Sequence, residues 1–173
     1  YDYLVGKYFD HHRVTVFHQA VSNFNGRAPL FKKRYTKKWW GVFPIARYDF
    51  AGNAGSSLKD KSNVSKRHAE WVDVVSLLDV CTRLHVGRIR LLKIDNEGCE
   101  YDVLNDVLDS GLYRQIDRIC FEDHSRKVPG LEGDRRRFVE RALALGLENR
   151  IFLQDETSGD PCSCLPFSTF QVT

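Results

Sequence analysis

The sequence predicts an α/β domain built on a mostly parallel sheet with flanking helices, and two observations carry that prediction. Ile89, Leu91, Leu92 and Ile94 form a short apolar run suited to an interior strand. It ends at Asp95, turns through Asn96 and Gly98, and passes into a helix whose Tyr101, Val103, Leu104, Val107 and Leu108 recur at helical spacing. The order then repeats. Ile116–Glu122 reads as a strand, Arg135–Leu145 as a helix with Phe138, Val139, Ala142 and Leu145 on one face, and Ile151–Leu153 as a strand. Strands alternating with helices are the signature of a parallel sheet.

Composition sets the bounds. The chain has 173 residues, 42% of them apolar, a mean hydropathy of −0.41 and a net charge of +3, which describes one ordinary soluble domain with a real core. The small charge argues against a dedicated nucleic-acid binder. No apolar run is long enough to span a bilayer, and no signal peptide is visible at the start. The cysteines are Cys81, Cys99, Cys120, Cys162 and Cys164, an odd number, and the first three sit inside apolar elements. No disulfide framework is therefore expected, and a reducing compartment is favoured. Cys162-Ser-Cys164 lacks a second ligand pair nearby, so no zinc site is expected. Asn63-Val64-Ser65 is a glycosylation acceptor pattern too short to fix the compartment.

In chain order, Tyr1–Phe9 reads as the end of a helix. The chain holds no methionine and begins at Tyr1, so it is expected to be part of a longer protein. His11-His12-Arg13 reads as a polar turn, favoured over a metal-binding pair. Val14–Val21 alternates as a strand, Asn25-Gly26 signals a hairpin turn, and Leu30-Phe31 leads the returning strand. From Lys32 to Trp40, Lys32, Lys33, Arg34, Lys37 and Lys38 interleave with Tyr35, Trp39 and Trp40. Such a mixture can grip phosphates and stack bases, can grip an acidic protein, or can sit as a solvated hairpin. One short patch on a near-neutral chain favours the last.

Gly52-Asn53-Ala54-Gly55-Ser56-Ser57 imitates a cofactor loop, but the polar stretch Leu58–Arg67 follows it. Too few residues then remain before Asp95 for two more strand–helix units, so the stretch reads as a surface loop. Trp71–Val75 is a short strand. Ser76–Val86 is a helix with Leu77, Leu78, Cys81 and Leu84 on one side, Ser76 as its N-cap and Asp79 three residues on. Gly111 and Gly146 end the two later helices. Arg135-Arg136-Arg137 reads as a solvated helix start, poorly placed against the dipole. Ser168–Val172 is expected to pair antiparallel with Ile151–Leu153 across a loop from Asp155 to Cys164.

The candidate chemistry lies at one sheet edge. Asp95, Glu97 and Glu100 fall where a strand becomes a helix, the place at which open parallel sheets bind ligands. Acids there can hold a metal, a sugar hydroxyl or a proton in transit, and Glu97 and Glu100 equally suit a helix first turn. Glu122 and His124 emerge at the same edge. A histidine beside a carboxylate is the usual makeup of a general base; the plainer alternative is a strand cap bonded to a backbone carbonyl.

The stretch Leu91-Leu92-Lys93-Ile94-Asp95-Asn96-Glu97-Gly98-Cys99-Glu100 resembles the signature of FkbM-type methyltransferases, with Val103 and Leu104 matching the helix that follows. Ile119-Cys120-Phe121-Glu122-Asp123-His124 is similar to the family's strand ending in Glu-x-His. Ala20-Val21-Ser22, Gly26 and Ser57-Leu58 fit further segments, and Asn96 and Cys99 depart from the usual apolar residue and alanine. The likeness runs from Val14 to Phe152 and is strong from Val72 to His124.

The resemblance implies a Rossmann-like class I fold with an antiparallel C-terminal strand pair, and S-adenosylmethionine as cofactor. The activity implied is O-methylation of a hydroxyl on a small molecule or sugar. Asp95 and Glu97 would orient the acceptor or a bound cation, and His124, steadied by Glu122, would be the base. Gly98 and Glu100 would form a substrate-facing or structural turn. There is room for a divalent metal, but no residue is assigned to one. The family's glycine-rich turn and ribose-binding acid are not found. Residues 1–173 are therefore expected to be a single partial domain, the C-terminal two thirds of the fold without its N-terminal strands and glycine loop, and to bind the donor weakly. His124→Ala is expected to lower turnover more than stability. The alternative is a non-catalytic methyltransferase-like module of a larger, even ribonucleoprotein, assembly. It would make its contacts through Lys32, Lys33, Arg34, Lys37, Lys38, Trp39 and Trp40 and through Arg135–Arg141.

Overall fold

A computed structural model of the chain describes residues 1–37, 45–48, 56–60, 64–154 and 164–167, with the backbone alone at 33–37, 45–48 and 65–68. The architecture is α/β with two four-stranded sheets. The second sheet carries the predicted strands: β5 (Leu92–Ile94), β6 (Ile119–Phe121), β7 (Ile151–Gln154) and β8 (Cys164–Pro166), in that order. β5, β6 and β7 are parallel, and β8 runs antiparallel to β7.

Apolar spacing explains the helices beside it. α3 (Glu100–Asp109) buries Tyr101, Val103, Leu104, Val107 and Leu108, the residues that the helical repeat picks out. Gly111 follows at φ 76°, a left-handed turn that costs glycine no Cβ clash. α4 (Glu132–Ala144) starts three residues before the predicted Arg135. Glu132 and Asp134 thus occupy its first turn, where the dipole favours acids. The rings of Tyr101, Phe121 and Phe138 meet with centroids 5.9–6.1 Å apart at the centre of the core.

The first sheet departs from expectation. It contains β1 (Ala20–Ser22), β2 (Gly26–Lys37), β3 (Ile45–Tyr48) and β4 (Val64–Ser76) in the order β1-β4-β2-β3. Only β1 lies parallel to its neighbour, so the single mostly parallel sheet is corrected to two sheets, one of them largely antiparallel. The Asn25-Gly26 hairpin does not form. β4 inserts between β1 and β2, with Val74 opposite both Ala20 and Gly26. Asn25 Oδ1 accepts the Ser76 N–H at 2.9 Å, so the turn residue ties itself to the end of β4. The strand at Val14–Val21 shrinks to Ala20–Ser22, and the one at Trp71–Val75 grows to thirteen residues. α1 (Asp2–Tyr8) buries nothing, while α2 (Leu77–Arg83) is capped as expected by Ser76, whose hydroxyl accepts the Asp79 N–H.

Smaller corrections follow from pairing. Leu91 is exposed, because β5 begins only at Leu92. The strand paired with β7 is Cys164–Pro166, not Ser168–Val172, which lies outside the described residues. Gly52–Gly55, Asn63 and Cys162 lie outside them too, as do Lys38, Trp39 and Trp40. Cys120 and Cys164 form a disulfide between β6 and β8, against the expectation of unpaired cysteines. β8 folds back antiparallel on β7, which lies between it and β6, and this brings two cysteines distant in sequence together. Because disulfides persist in oxidising surroundings, this bond removes the ground on which a reducing compartment was favoured. Among the described residues no helix is long and apolar enough to cross a membrane.

Candidate active site

β5 delivers its chain to the rim of the second sheet at Asp95, where the backbone turns sharply. Glu97 adopts φ 53° and Gly98 φ 117°. The first is uncommon for a residue with a Cβ, and the second is closed to most. A Cβ on Gly98 would also sit 2.8 Å from Val128 Cγ2, so glycine is required here twice over.

Glu100 is the hub of the turn. It is 0% exposed and opens α3. Its Oε1 accepts the Asn96 N–H at 3.0 Å, and its Oε2 accepts the Gly98 N–H at 3.0 Å. His124 Nδ1 stands 2.9 Å from the same Oε1. The helix-capping and site readings of Glu100 therefore coincide: one carboxylate holds the turn's amides and the histidine together.

His124, 1% exposed, lies between carboxylates on both sides. Its Nε2 is 2.8 Å from Glu122 Oε1 and 3.5 Å from Glu97 Oε2. Burial works against the charged ring. The hydrogen bond and charge of Glu100, then the charges of Glu122 and Glu97, outweigh it and hold the pKa above the usual 6.5. Carboxylates only accept, so a ring with acids at both nitrogens is best satisfied with both protonated. A base in direct contact with an acceptor is not what this burial offers, and neither is a strand cap on a backbone carbonyl.

Asp95 is exposed and Glu97 half-buried, and both line an open cleft of about 400 Å³ with Gln19, Val21, Ser57 and Asn96. Asn96 Nδ2 donates to Val21 O at 3.1 Å, tying the turn to β1. The sequence-predicted residues thus come together, in two layers. Asp95 and Glu97 face the cleft; Glu100, Glu122 and His124 stand behind them. Cys99 also borders the cleft, but burial pushes its thiol up to about 12, so it stays protonated.

Asp95, Glu100 and His124 each bring one donor atom within 4.8 Å of the others, the spacing of a metal site. The donors do not fit one. Glu100 Oε1 is already taken up by the Asn96 and Gly98 N–H groups and by His124 Nδ1, and a doubly protonated imidazole has no lone pair to give.

Sequence reading missed two supports. The Tyr101 hydroxyl donates to Asp123 Oδ1 at 2.9 Å, which fixes the segment between β6 and His124. Tyr101 reads as a plain core residue, and the polar tip that buried tyrosines usually satisfy is the signal that could have found it. Ser57 Oγ donates to Glu97 O at 2.7 Å, a contact forty residues away in sequence. In the basic stretch, Lys32 Nζ pairs with Glu70 Oε2 at 2.7 Å.

A family model described as "Methyltransferase FkbM domain" matches residues 7–144. No curated protein and no solved structure matches the chain.

Proposed function

The chain belongs to the FkbM methyltransferase family, and from that premise we propose that it serves S-adenosylmethionine-dependent O-methylation of a hydroxyl on a small molecule or sugar, on a Rossmann-like scaffold. The observation that carries the reading is the two-layered acidic turn at the cleft. Bound there, the donor supplies an electrophilic methyl group on a positively charged sulfur. The cleft-lining carboxylates of Asp95, exposed, and Glu97, half-buried, suit that cation and the hydroxyl beside it. Asp95 orients the acceptor hydroxyl. Glu97 accepts its proton as the oxygen becomes nucleophilic, the role that the resemblance gives to His124. His124 steadies Glu97 from behind with its charge, at 3.5 Å, while Glu100 and Glu122 hold the ring in place at its two nitrogens. Holding reactants aligned is worth a large share of a transfer barrier, so rigidity of this turn matters as much as its charge.

The scaffold reading is favoured by one observation. Glu100 and His124 are fully engaged with their neighbours, so the turn keeps its shape with no acceptor present. Under that reading the basic stretch from Lys32 to Trp40, with Arg135 to Arg141, serves a protein or nucleic-acid partner. One assay separates the two. Donor carrying a labelled methyl group is incubated with the protein and a panel of sugars and hydroxylated small molecules. Labelled ether product from any acceptor supports the enzyme; label left wholly on the donor across the panel supports the scaffold.

A further inference from the structure

The geometry points to Ser57 as a positioning residue that holds Glu97 in its left-handed conformation and so aims its carboxylate. Its use in catalysis rests on the reading of Glu97 given above.

Ser57 is 1% exposed and belongs to no strand, yet it is fixed on three sides. Its backbone forms an isolated bridge with Phe31: Phe31 N–H donates to Ser57 O at 2.8 Å, and Ser57 N–H donates to Phe31 O at 3.1 Å. Its hydroxyl accepts the Lys59 N–H at 3.0 Å, which aligns the oxygen. The hydroxyl proton then goes to Glu97 O at 2.7 Å. Two residues on, Lys59 Nζ meets Asp102 Oδ2 at 2.7 Å in the first turn of α3. The segment is thus a strap from the edge of β2 to both ends of the acidic turn.

The bond falls where the backbone needs help. Glu97 at φ 53° carries a Cβ in a region that is unfavourable for an ordinary side chain. A hydrogen bond to its carbonyl offsets that cost only while the residue stays left-handed. If Glu97 relaxed, its carboxylate would leave its place 3.5 Å from His124 Nε2. Buried hydroxyls that merely fill space do not carry this directional dependence on one residue's backbone angle.

The test is a double-mutant cycle read by denaturation, joined to side-chain NMR of His124. In the natural background Ser57→Ala should raise the unfolding equilibrium constant about fivefold, the effect of losing one typical hydrogen bond. In a Glu97→Gly background the carbonyl that accepts the bond remains, and glycine is left-handed without strain, so the same change should again cost about fivefold. At fixed pH, Ser57→Ala should also shift the His124 Nε2 resonance, whereas Val139→Ala, a core change in α4, should leave it in place. A loss below about twofold in either background, or an unmoved resonance, would overturn the proposal. Should Ser57→Ala fail to fold alone, the Glu97→Gly double variant is expected to fold, and its failure counts against the strap. Neither readout uses methyl transfer, so a failed transfer assay and a failed strap are told apart.

Discussion

The two sheets are unlike in what holds them. Around β5, β6 and β7, the buried cluster takes in Tyr101, Leu104, Phe121, Phe138 and Ile151, each at most 0% exposed. Around β1, β2 and β4, the described residues bury little beyond Ser22, Ser57, Val64, Val74 and Val75, and Trp71 stands 61% exposed. The first region resembles a conventional core; the second is a wall held to it by polar ties from Ser57 and Asn96. Stability and site shape therefore have separate sources. The parallel sheet fixes Glu100 and His124, and the wall closes the cleft over Asp95 and Glu97.

The sharpest way to break this contrast is to empty the core. Phe121→Ala should cost about 4 kcal/mol, since a fully buried ring leaves both lost transfer energy and a cavity. Urea unfolding would measure it, and a loss below about 1 kcal/mol would mean that the core is not where the stability lies.

His124→Ala should follow closely, at about 3 kcal/mol. It strands the buried Glu100 without its cationic partner. The sequence leads one to expect a larger loss of turnover than of stability; buried at 1% exposure, the ring cannot be removed without a loss of fold stability as well. Its pH dependence has a definite sign. The folded pKa is raised above 6.5, so the contribution of His124 is full below that value and fades as pH rises through the folded pKa. Denaturation midpoints followed upward in pH should fall more steeply in the natural protein than in His124→Asn. A parallel fall in both would contradict the imidazolium.

Gly98→Ala tests the junction of the two regions. With φ 117° and Val128 Cγ2 at 2.8 Å, it should cost about 2 kcal/mol by urea unfolding. Trp71→Ala, on the exposed face of β4, should change stability by less than about 0.5 kcal/mol. A large effect there would mean that the wall has a core of its own.

How much of this could be read from the chain follows the same division. The second sheet was legible because its elements announce themselves locally. Tyr101 to Leu108 repeat at helical spacing, Gly111 and Gly146 stop helices, and short apolar runs mark β6 and β7. The first sheet was not. Asn25-Gly26 carries the right local chemistry for a hairpin, but β4 competes for the same edges and wins by pairing with both strands. Long-range register leaves no trace in a stretch of six residues. At the site, the acids and His124 were identifiable by type and position, because strand ends in a parallel sheet share one rim. Their division into a facing layer and a buried layer was not, since it depends on which carboxylate the Asn96 and Gly98 amides choose. The Cys120–Cys164 bond was hidden for a similar reason: it needs β8 folded back along β7, across which the two cysteines meet.

The central claim is that Glu97 acts on the acceptor while Glu100 and His124 only hold it in place. The direct test is the turnover number for labelled methyl transfer in the natural protein and in Glu97→Gln, with urea unfolding of both. The account expects Glu97→Gln to lose about a hundredfold or more in turnover, as loss of a general base does, with its midpoint nearly unchanged. Full turnover in Glu97→Gln would contradict it.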